Sequence, residues 1–346
     1  MTSRPLVVRL CNWIGDVVLS LPALQHLQSA GYALHLYGKG WAPTLLSGYG
    51  WPVTVRAKTL GQRVVQLKLL RQQLAINVTT NAATNVTTNV TTNAATNIST
   101  AASHTNACSP GLAKRINALA MPNSFSSALE LRLAGLRVAG YARDGRSLLL
   151  AHRVAAPEAP HALESFWALA AGLTGRSSAP PADIHLQIAP AALAHAQALV
   201  AQRGWGAGYV CIAPFAAGTV HKHDKRWPGF PELTRRLAAQ GLTVVVCPGP
   251  GEAAVALRDH PQAQVLQALP LDAYAALLQG SRLVVANDTG PGHIAAASGA
   301  PLLSVLGPTK VEQWRPWGSQ VSVLSARPHW PTVDAVHAAV NTRLAR

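Results

Sequence analysis

Cysteine is scarce in this chain of 346 residues. The four cysteines, Cys11, Cys108, Cys211 and Cys247, are scattered and form no C-x-x-C pair. This spacing argues against a disulfide framework and against a cysteine-based metal site. Cys11, Cys211 and Cys247 lie in or beside apolar, strand-like runs, which predicts buried free thiols.

Long apolar runs are absent as well. None approaches the roughly 18 to 20 residues that a membrane-spanning helix needs. The apolar stretch from Leu6 to Leu24 is interrupted by Arg9 and Asp16, and no recognisable cleavage site follows it. We therefore expect neither a secretory signal nor a membrane span, and the sequence predicts a cytoplasmic protein.

Acidic residues are few, with 14 Asp and Glu against 29 Lys and Arg, a net charge of +15. Residues 1–175 hold 15 basic and 5 acidic residues (+10), and residues 176–346 hold 14 and 9 (+5). This excess suits nucleic acid, an anionic membrane face or a phosphorylated glycolipid, although composition alone does not separate these partners from a charge that only aids solubility. The aromatic residues are not interleaved with a basic stripe, which argues against a nucleic-acid-binding module.

Strand-like and helix-like segments alternate along the whole chain, which predicts an α/β fold with parallel sheets covered on both faces. The predicted strands are Leu6–Leu10, Ala33–Tyr37, Val53–Val55, Ile116–Met121, Val138–Tyr141, Tyr209–Ala213, Thr243–Cys247, Leu283–Ala286 and Leu302–Leu306. The predicted helices, after a first one that contains Val17 to Leu27, are Leu60–Ala75, Ser124–Ala134, Ala162–Leu173, Phe230–Gln240, Glu252–Arg258, Asp272–Gln279 and His293–Ser298. The segment Gly175–Asp183 has a linker composition, so we expect two Rossmann-like domains that face each other across a cleft.

One segment departs from this alternation. Residues 77–100 read NVTT-NAAT-NVTT-NVTT-NAAT-NIST, a four-residue unit within a twelve-residue repeat. Asn and Thr are weak helix formers, and the segment offers little apolar surface to bury. We predict a solvent-exposed, disordered insertion at about residues 77–110.

The most informative segment is V-V-A-N-D-T-G-P-G-H-I-A-A-A-S-G, residues 284–299. An apolar strand ends in a glycine-containing turn, and a helix of small residues opens just after Pro291. Glycines let a ligand approach the backbone, and the helix N-terminus presents N–H groups and partial positive charge to it. Asp288, Thr289 and His293 add polar side chains, so the turn suits a phosphate-bearing ligand. Taken alone, it fits an ordinary strand-to-helix turn capped by Asp288 or Thr289 equally well.

Three further clusters follow predicted strands, where open α/β sheets bind ligands. Asp16, in N-W-I-G-D after the first strand, is either a general base or a helix N-cap. Lys225, in the small-residue and basic segment of residues 213–228, can hold a diphosphate or lie on a solvated loop. Glu252, in P-G-P-G-E, can accept ribose hydroxyls or act as a charge at a helix start.

In this order and spacing, the clusters resemble glycosyltransferase family 9, the lipopolysaccharide heptosyltransferases. The resemblance covers nearly the whole chain. It is carried by V-V-R-L-x-x-x-x-G-D-V-V-L-S-L-P-A-L near the start, P-N-S-F-S-S-A-L at 122–129, K-R-W-P at 225–228 and N-D-T-G-P-G-H-I-A-A-A from Asn287.

The resemblance implies a GT-B architecture. Residues 1–175 would form an N-terminal acceptor-binding domain, and residues 176–332 a C-terminal nucleotide-sugar-binding domain. Residues 333–346, with a last helix at about Val333–Leu344, would pack back on the first domain. A monomer is expected, in the cytoplasm or peripheral on the inner membrane.

The resemblance also implies an inverting transfer of heptose from an ADP-heptose donor to a lipid A-Kdo type acceptor, with no metal and no other cofactor. The absence of an obvious Asp-x-Asp motif agrees with this. Asp16 matches the family's catalytic base, and Lys225 matches a lysine that offsets charge on the departing diphosphate. The residues that match the donor site are Thr219, Glu252, Asp288, Thr289, Gly290 and His293. The loop before Lys225 is longer than in many relatives, which affects the match of Thr219.

Contacts to an anionic acceptor are expected in the basic first half of the chain. Arg143 and Arg146 are the leading candidates, followed by Arg63 and Arg71, although solvated surface arginines explain the same pattern. The alternatives are a family-9 transferase with a different sugar or acceptor, an epimerase of the same architecture, and a basic nucleic-acid-binding protein. An epimerase should show additional acidic catalytic residues, which the sequence lacks.

Overall fold

A computed structural model describes residues 4–84, 116–158, 160–176, 178–216, 219–220 and 223–345, without the side chains of 75–84, 219, 220 and 223. Two six-stranded parallel sheets organise these residues. The strands of the first sheet all precede residue 155, and those of the second all follow residue 209. The predicted α/β fold with two parallel sheets is therefore confirmed.

The first sheet has the strand order β3-β2-β1-β4-β5-β6. Its strands are β1 (Arg4–Arg9), β2 (Tyr32–Gly38), β3 (Val53–Val55), β4 (Ala118–Ala120), β5 (Val138–Tyr141) and β6 (His152–Val154). The helices of this half are α1 (Ile14–Ser29), α2 (Ala42–Leu45), α3 (Leu60–Thr84), α4 (Phe125–Leu133) and α5 (Ala162–Thr174). Pro22 lies inside α1, which is already regular from Ile14.

The second sheet has the order β11-β10-β7-β12-β13-β14, and a two-stranded antiparallel ladder, β8 and β9, stands beside it. The strands are β7 (Val210–Ala213), β8 (Thr219–Val220), β9 (His223–Asp224), β10 (Val244–Val246), β11 (Gln264–Val265), β12 (Leu283–Ala286), β13 (Leu302–Leu306) and β14 (Val321–Ser325). The helices are α6 (Pro190–Gln202), α7 (Phe230–Ala239), α8 (Ala253–Asp259), α9 (Leu271–Gln279), α10 (Gly290–Ala297), α11 (Val311–Trp314) and α12 (Val333–Leu344).

One apolar cluster joins the two halves. It contains buried residues of β1, α1 and α5 together with buried residues of α9, α10 and β12. Two smaller clusters cover the outer faces, one beneath α3 and α4 and the other beneath α7 and α12. The beginnings of α1 and α10 are therefore held against each other by packing, and this places the candidate site. None of the described helices is long and apolar enough to cross a membrane.

The predicted disordered insertion starts at residue 77, before the end of helix α3. Helix α3 continues through residues 77–84, the first part of the Asn/Thr repeat. Its earlier turns are anchored by the buried Leu67 and Leu70, and extending a formed helix costs little per residue even where the propensity is weak. The rest of the predicted insertion, residues 85–110, lies outside the described residues.

The predicted position of the last helix is wrong. Helix α12 packs mainly on α7, β12 and β13 of the second sheet rather than on the first domain. Val336 and Val340, four residues apart and fully buried, form its inner face. An ion pair of 2.6 Å between Arg236 Nη1 and Asp334 Oδ1 fastens the same helix to α7.

Candidate active site

The turn between β12 and α10 lies at the carboxyl edge of the second sheet, and Asn287 fixes its shape. The fully buried Asn287 amide donates to the carbonyl oxygen of Pro214 at 2.8 Å and accepts from the backbone N–H of Trp227 at 3.0 Å. One side chain thus connects the turn to the end of β7 and to the segment that carries Lys225. The N-D-T-G and K-R-W-P motifs meet through this residue.

Asp288 is the centre of the polar contacts in the turn. Its Oδ2 lies 2.6 Å from Lys225 Nζ and accepts a hydrogen bond of 2.9 Å from Thr309 Oγ1. Its Oδ1 lies 3.8 Å from His293 Nε2, beyond hydrogen-bond length. Burial raises the pKa of Asp288, but the interactions with His293 and Lys225 outweigh it and leave the pKa at about 2. Asp288 therefore carries a fixed negative charge that holds the lysine in place.

The N-terminus of α10 is open at this point. Thr289 is the N-cap residue in extended conformation, and its side chain accepts no hydrogen bond from the first turn. Thr289, Gly290 and Pro291 are partly exposed. Without a side-chain cap, the N–H groups of the first turn are available to an anion, which the helix dipole also favours.

Asp16 reaches the same place from the first half of the chain. It lies in the first turn of α1 and is partly buried. Burial raises the pKa of Asp16, the charges of His293 and Lys225 lower it in part, and that of Asp288 raises it further. The structure thus brings Asp16, Lys225, Asp288 and His293 together.

The backbones of the two halves approach closely beside Asp16. A Cβ on Gly15 would lie 2.6 Å from His293 Cδ2, and a Cβ on Gly290 would lie 3.0 Å from Ile14 Cβ. Only glycine fits at Gly15 without displacing the imidazole. The contact fixes His293, a buried residue, against the first turn of α1.

For two of the predicted donor-site residues, Glu252 and Thr219, contact with the donor stays a prediction. Glu252 stands just before α8, and its Oε2 accepts the backbone N–H of Gly249 at 2.7 Å. The carboxylate thus shapes its own loop, and a ribose contact remains a prediction. Thr219 lies in strand β8, but its side chain is outside the described residues.

Of the arginines predicted to contact the acceptor, Arg146, Arg63 and Arg71 form hydrogen bonds within the chain, whereas Arg143 is exposed. Arg146 is fully buried, so its prediction as a direct acceptor contact is wrong. Its Nε donates to the carbonyl oxygen of Tyr141 at 2.7 Å, and its Nη1 donates to that of Pro122. Burial lowers the pKa of Arg146. Its guanidinium shapes the P-N-S-F-S-S loop instead of facing a ligand.

Arg63 is largely engaged as well, because its Nη1 lies 3.4 Å from Glu130 Oε2 and its Nε donates to Ala57 at 2.9 Å. Arg71 donates through Nη1 to the carbonyl oxygen of Gly135 at 3.2 Å. Arg143 is exposed and free to meet a ligand. A role of Arg143 in acceptor binding stays a prediction.

Glu130 is a buried residue that the sequence did not single out. Its carboxylate faces Arg9 Nε at 2.6 Å, Arg63 Nη1 at 3.4 Å and Arg56 Nη1 at 3.9 Å. Arg9 Nη2 in turn donates to Asn12 Oδ1 at 3.0 Å, and its Nη1 donates to the carbonyl oxygen of Leu10. Glu130 and Arg9 therefore fix the segment that leads from β1 to Asp16.

His161 also escaped the sequence analysis. It precedes α5, where its Nδ1 accepts the backbone N–H of Leu163 at 3.1 Å. Its Nε2 lies 2.8 Å from the carbonyl oxygen of Arg315 in the second half of the chain. Burial lowers the pKa of His161, which favours the neutral ring that both contacts require. The residue thus connects the start of α5 to the second half of the chain.

Within the described residues, no group of three or more His, Cys, Asp or Glu side chains could hold a metal ion. Lys225, held by Asp288, is a cation of the chain beside the candidate anion site. Metal independence stays a prediction.

Comparison with known proteins finds one matching family and two curated relatives of the same kind. Residues 116–342 match the profile of glycosyltransferase family 9 (heptosyltransferase). Lipopolysaccharide heptosyltransferase 3 of Escherichia coli is 33% identical over 129 residues, which are 34% of this chain and 36% of that protein. Lipopolysaccharide heptosyltransferase 1 of Pseudomonas aeruginosa is 39% identical over 94 residues, 25% of this chain and 26% of that protein. The aligned part thus spans about a third or less of these curated relatives.

Solved structures show the same fold over nearly the full length. ADP-heptose lipopolysaccharide heptosyltransferase II of E. coli superposes with a TM-score of 0.71 at 19% identity, covering 99% of this chain and 98% of that one. E. coli heptosyltransferase WaaC with ADP gives 0.66 at 21% identity, covering 98% and 99%. The predicted GT-B architecture is confirmed by these likenesses.

Proposed function

The chain belongs to glycosyltransferase family 9, and on that premise we propose that it transfers heptose from ADP-heptose to the inner core of lipopolysaccharide. The donor class is supported by two structural neighbours, which were solved with ADP and with ADP-2-deoxy-2-fluoro heptose. The acceptor class is supported by the two curated relatives, both lipopolysaccharide heptosyltransferases.

A single observation carries the proposal. A carboxylate from the first half, Asp16, lies within electrostatic reach of Lys225, Asp288 and His293 beside an open helix N-terminus of the second half. The second half thus offers backbone N–H groups and a cation to an anionic leaving group. The first half offers a base to an attacking alcohol. This is the division of tasks that transfer between a nucleotide sugar and a hydroxyl group requires.

The reaction that this geometry supports is a single displacement with inversion. The acceptor hydroxyl forms a bond to the anomeric carbon as its proton passes to the Asp16 carboxylate. The bond from the anomeric carbon to the diphosphate oxygen breaks, and ADP leaves with the electron pair. Lys225 and the first turn of α10 stabilise the negative charge that develops on the diphosphate, so we propose that no metal ion is needed.

The direct test is a panel of ADP-, UDP- and GDP-sugars offered with truncated core acceptors, with and without EDTA, followed by mass measurement of the products. We expect a mass increase of one heptose with ADP-heptose only, at a rate that EDTA does not change. Transfer of a different sugar would show that the chain is a family-9 transferase with another donor. Loss of activity with EDTA that an added cation restores would overturn metal independence.

The close approach at Gly15 gives a second test. In Gly15→Ala, the added Cβ must displace His293 or the start of α1, because it would lie 2.6 Å from the imidazole. This displacement of the imidazole or of the start of α1 should lower kcat/KM by about 10- to 100-fold. Steady-state kinetics with a water-soluble acceptor measures the effect.

Gly61→Ala is the matched control, since a Cβ at this helical position has no neighbour within 4 Å. It should leave the kinetics unchanged and stabilise the fold by roughly 0.5–1 kcal/mol through helix propensity. Equal activity of Gly15→Ala and wild type would show that the position of His293 against α1 is immaterial.

A further inference from the structure

The first half of the chain contains an uninterrupted stretch without negative charge. No Asp or Glu occurs between Asp16 and Glu130. The same stretch contains eight basic residues, Lys39, Arg56, Lys58, Arg63, Lys68, Arg71, Lys114 and Arg115. A surface built from it attracts anions and offers them no repulsion.

Helix α3 lies in this stretch, and its outer face is apolar as well as basic. The inner face packs on α4 and β1 through the buried Leu67 and Leu70. On the opposite face, Val65 and Leu69, four residues apart, are 57% and 55% exposed. Lys68 lies between them and is exposed too. The helix therefore has two apolar faces, of which the described part of the chain covers the inner one.

The exposed patch extends from α3 to the carboxyl edge of the first sheet. Val55 at the end of β3 is 45% exposed, and Leu60 at the start of α3 is 42% exposed. Lys58 lies between these two residues and is exposed. Within the described part of the chain, neither Lys58 nor Lys68 forms an ion pair. We call the surface formed by Val55, Lys58, Leu60, Val65, Lys68 and Leu69 the α3 face.

We propose that the α3 face docks on an anionic phospholipid bilayer. Exposed aliphatic side chains that alternate with free lysines fit the boundary between acyl chains and negative headgroups, where the aliphatic groups are buried and the ammonium groups meet phosphate. A protein partner would need shape complementarity to a small convex helix surface, whereas a bilayer adapts to it. The absence of acidic residues across the whole stretch matches a uniformly negative surface.

The α3 face also adjoins the candidate active site. Arg56, within the Val55–Leu60 segment, and Arg63, three residues after it, both approach Glu130, which through Arg9 holds the loop that carries Asp16. Docking through α3 would thus bring the acceptor side of the site near the headgroups. This consequence rests on the proposed function, because it requires an acceptor with a lipid anchor, whereas the docking itself does not.

Co-sedimentation of the full chain with vesicles tests the docking. We expect binding to vesicles of phosphatidylglycerol and phosphatidylethanolamine, little binding to pure phosphatidylcholine, and weaker binding as salt increases. The double variants Val65→Ser/Leu69→Ser and Lys58→Gln/Lys68→Gln should each weaken binding by about tenfold or more. Circular dichroism checks that both variants are folded, and neither substitution touches the buried face of α3.

Leu257→Ser/Arg258→Gln is the matched control, because Leu257 is 53% exposed on a helix of the second half. It should bind vesicles like the wild type. Binding that is equal in all variants, or absent with anionic vesicles, would overturn the proposal. The same holds for sedimentation-velocity data in which the wild type dimerises and Val65→Ser/Leu69→Ser does not, since the occupant of the face would then be a second copy.

An activity arm separates the docking from the proposed function. With an acceptor embedded in anionic vesicles, Val65→Ser/Leu69→Ser should raise KM about tenfold, while a water-soluble truncated acceptor should give wild-type kinetics. If the proposed function is wrong, no variant transfers heptose, yet the vesicle binding and its loss persist. If only the docking is wrong, transfer proceeds and the vesicle binding is absent.

Discussion

Replacing Asp16 by asparagine is expected to lower kcat by about 10²- to 10⁴-fold, the usual contribution of a general base. Asparagine has almost the same shape but cannot accept the proton of the acceptor hydroxyl. The affinity for ADP should change little, because the groups that face the diphosphate come from the second half of the chain. Kinetics with ADP-heptose and calorimetry with ADP measure the two quantities separately.

Although Asp16→Asn should be less active, it should be at least as stable as the wild type. Burial raises the pKa of Asp16 in the folded chain, so the ionised carboxylate is less favourable there than in the unfolded chain. A group with a raised folded pKa stabilises the fold below its unfolded pKa, and this contribution is lost as pH rises through the folded pKa. At neutral pH, Asp16→Asn removes the cost of ionisation, and its melting temperature should equal or exceed that of the wild type.

Asp144→Asn is a suitable control. Asp144 is exposed and has a left-handed backbone with φ of 52°, a conformation that asparagine also tolerates. It should leave turnover unchanged. A fully active Asp16→Asn would exclude Asp16 as the base, whereas a variant that no longer folds would contradict the expected melting temperature.

The raised pKa of Asp16 also sets the acid limb of the pH profile. The carboxylate must be ionised to accept a proton, so kcat/KM should fall as pH drops through a value above the 3.8 of an ordinary aspartate. Asp288, with a pKa of about 2, stays ionised over this range and contributes no limb. An acid limb at or below 3.8 would point to a more exposed base.

Several strands of the two sheets could be predicted well because each is a short, almost wholly apolar run between turn residues. Val53–Val55, Val138–Tyr141, Leu283–Ala286 and Leu302–Leu306 have the predicted bounds. The strands that were missed in the two six-stranded sheets, β6, β11 and β14, lie at sheet edges, where one side is open and polar residues interrupt the pattern. Among the missed helices, α6 begins at a proline and is rich in alanine, so its apolar face is weakly marked.

The site could be predicted in part for a comparable reason. Asp16, Lys225, Asp288 and His293 all follow strands, and the carboxyl ends of parallel strands share one edge of a sheet. Thr309 follows β13 in the same way and could have been found by this rule. Glu130 and His161 could not, because each lies within or before a helix and acts through partners 121 and 154 residues away. Arg146 was misassigned because composition records its charge but not its burial.

Replacing Lys225 by alanine is the other change with a large expected effect, a loss of about 10²- to 10³-fold in kcat. The ammonium is held 2.6 Å from Asp288 Oδ2 and is 20% exposed, so it is fixed before the donor arrives and needs little reorganisation. Without it, the buried Asp288 carboxylate remains beside the departing diphosphate and repels it. Lys310→Ala, an exposed lysine after β13, should have no comparable effect.

A double-mutant cycle with Asp288→Asn separates two roles of the aspartate. If Asp288 acts by holding Lys225, the double variant Lys225→Ala/Asp288→Asn should have a kcat no lower than that of Lys225→Ala. The double variant should also bind ADP more tightly than Lys225→Ala does, because the unpaired negative charge of Asp288 is gone. Additive losses in kcat would instead mean that Asp288 contacts the donor on its own account. An Asp288→Asn variant with wild-type kcat would show that the lysine needs no anchor. The cycle thus tests whether this ion pair is a preorganised cation for the leaving group or only a contact that stabilises the turn.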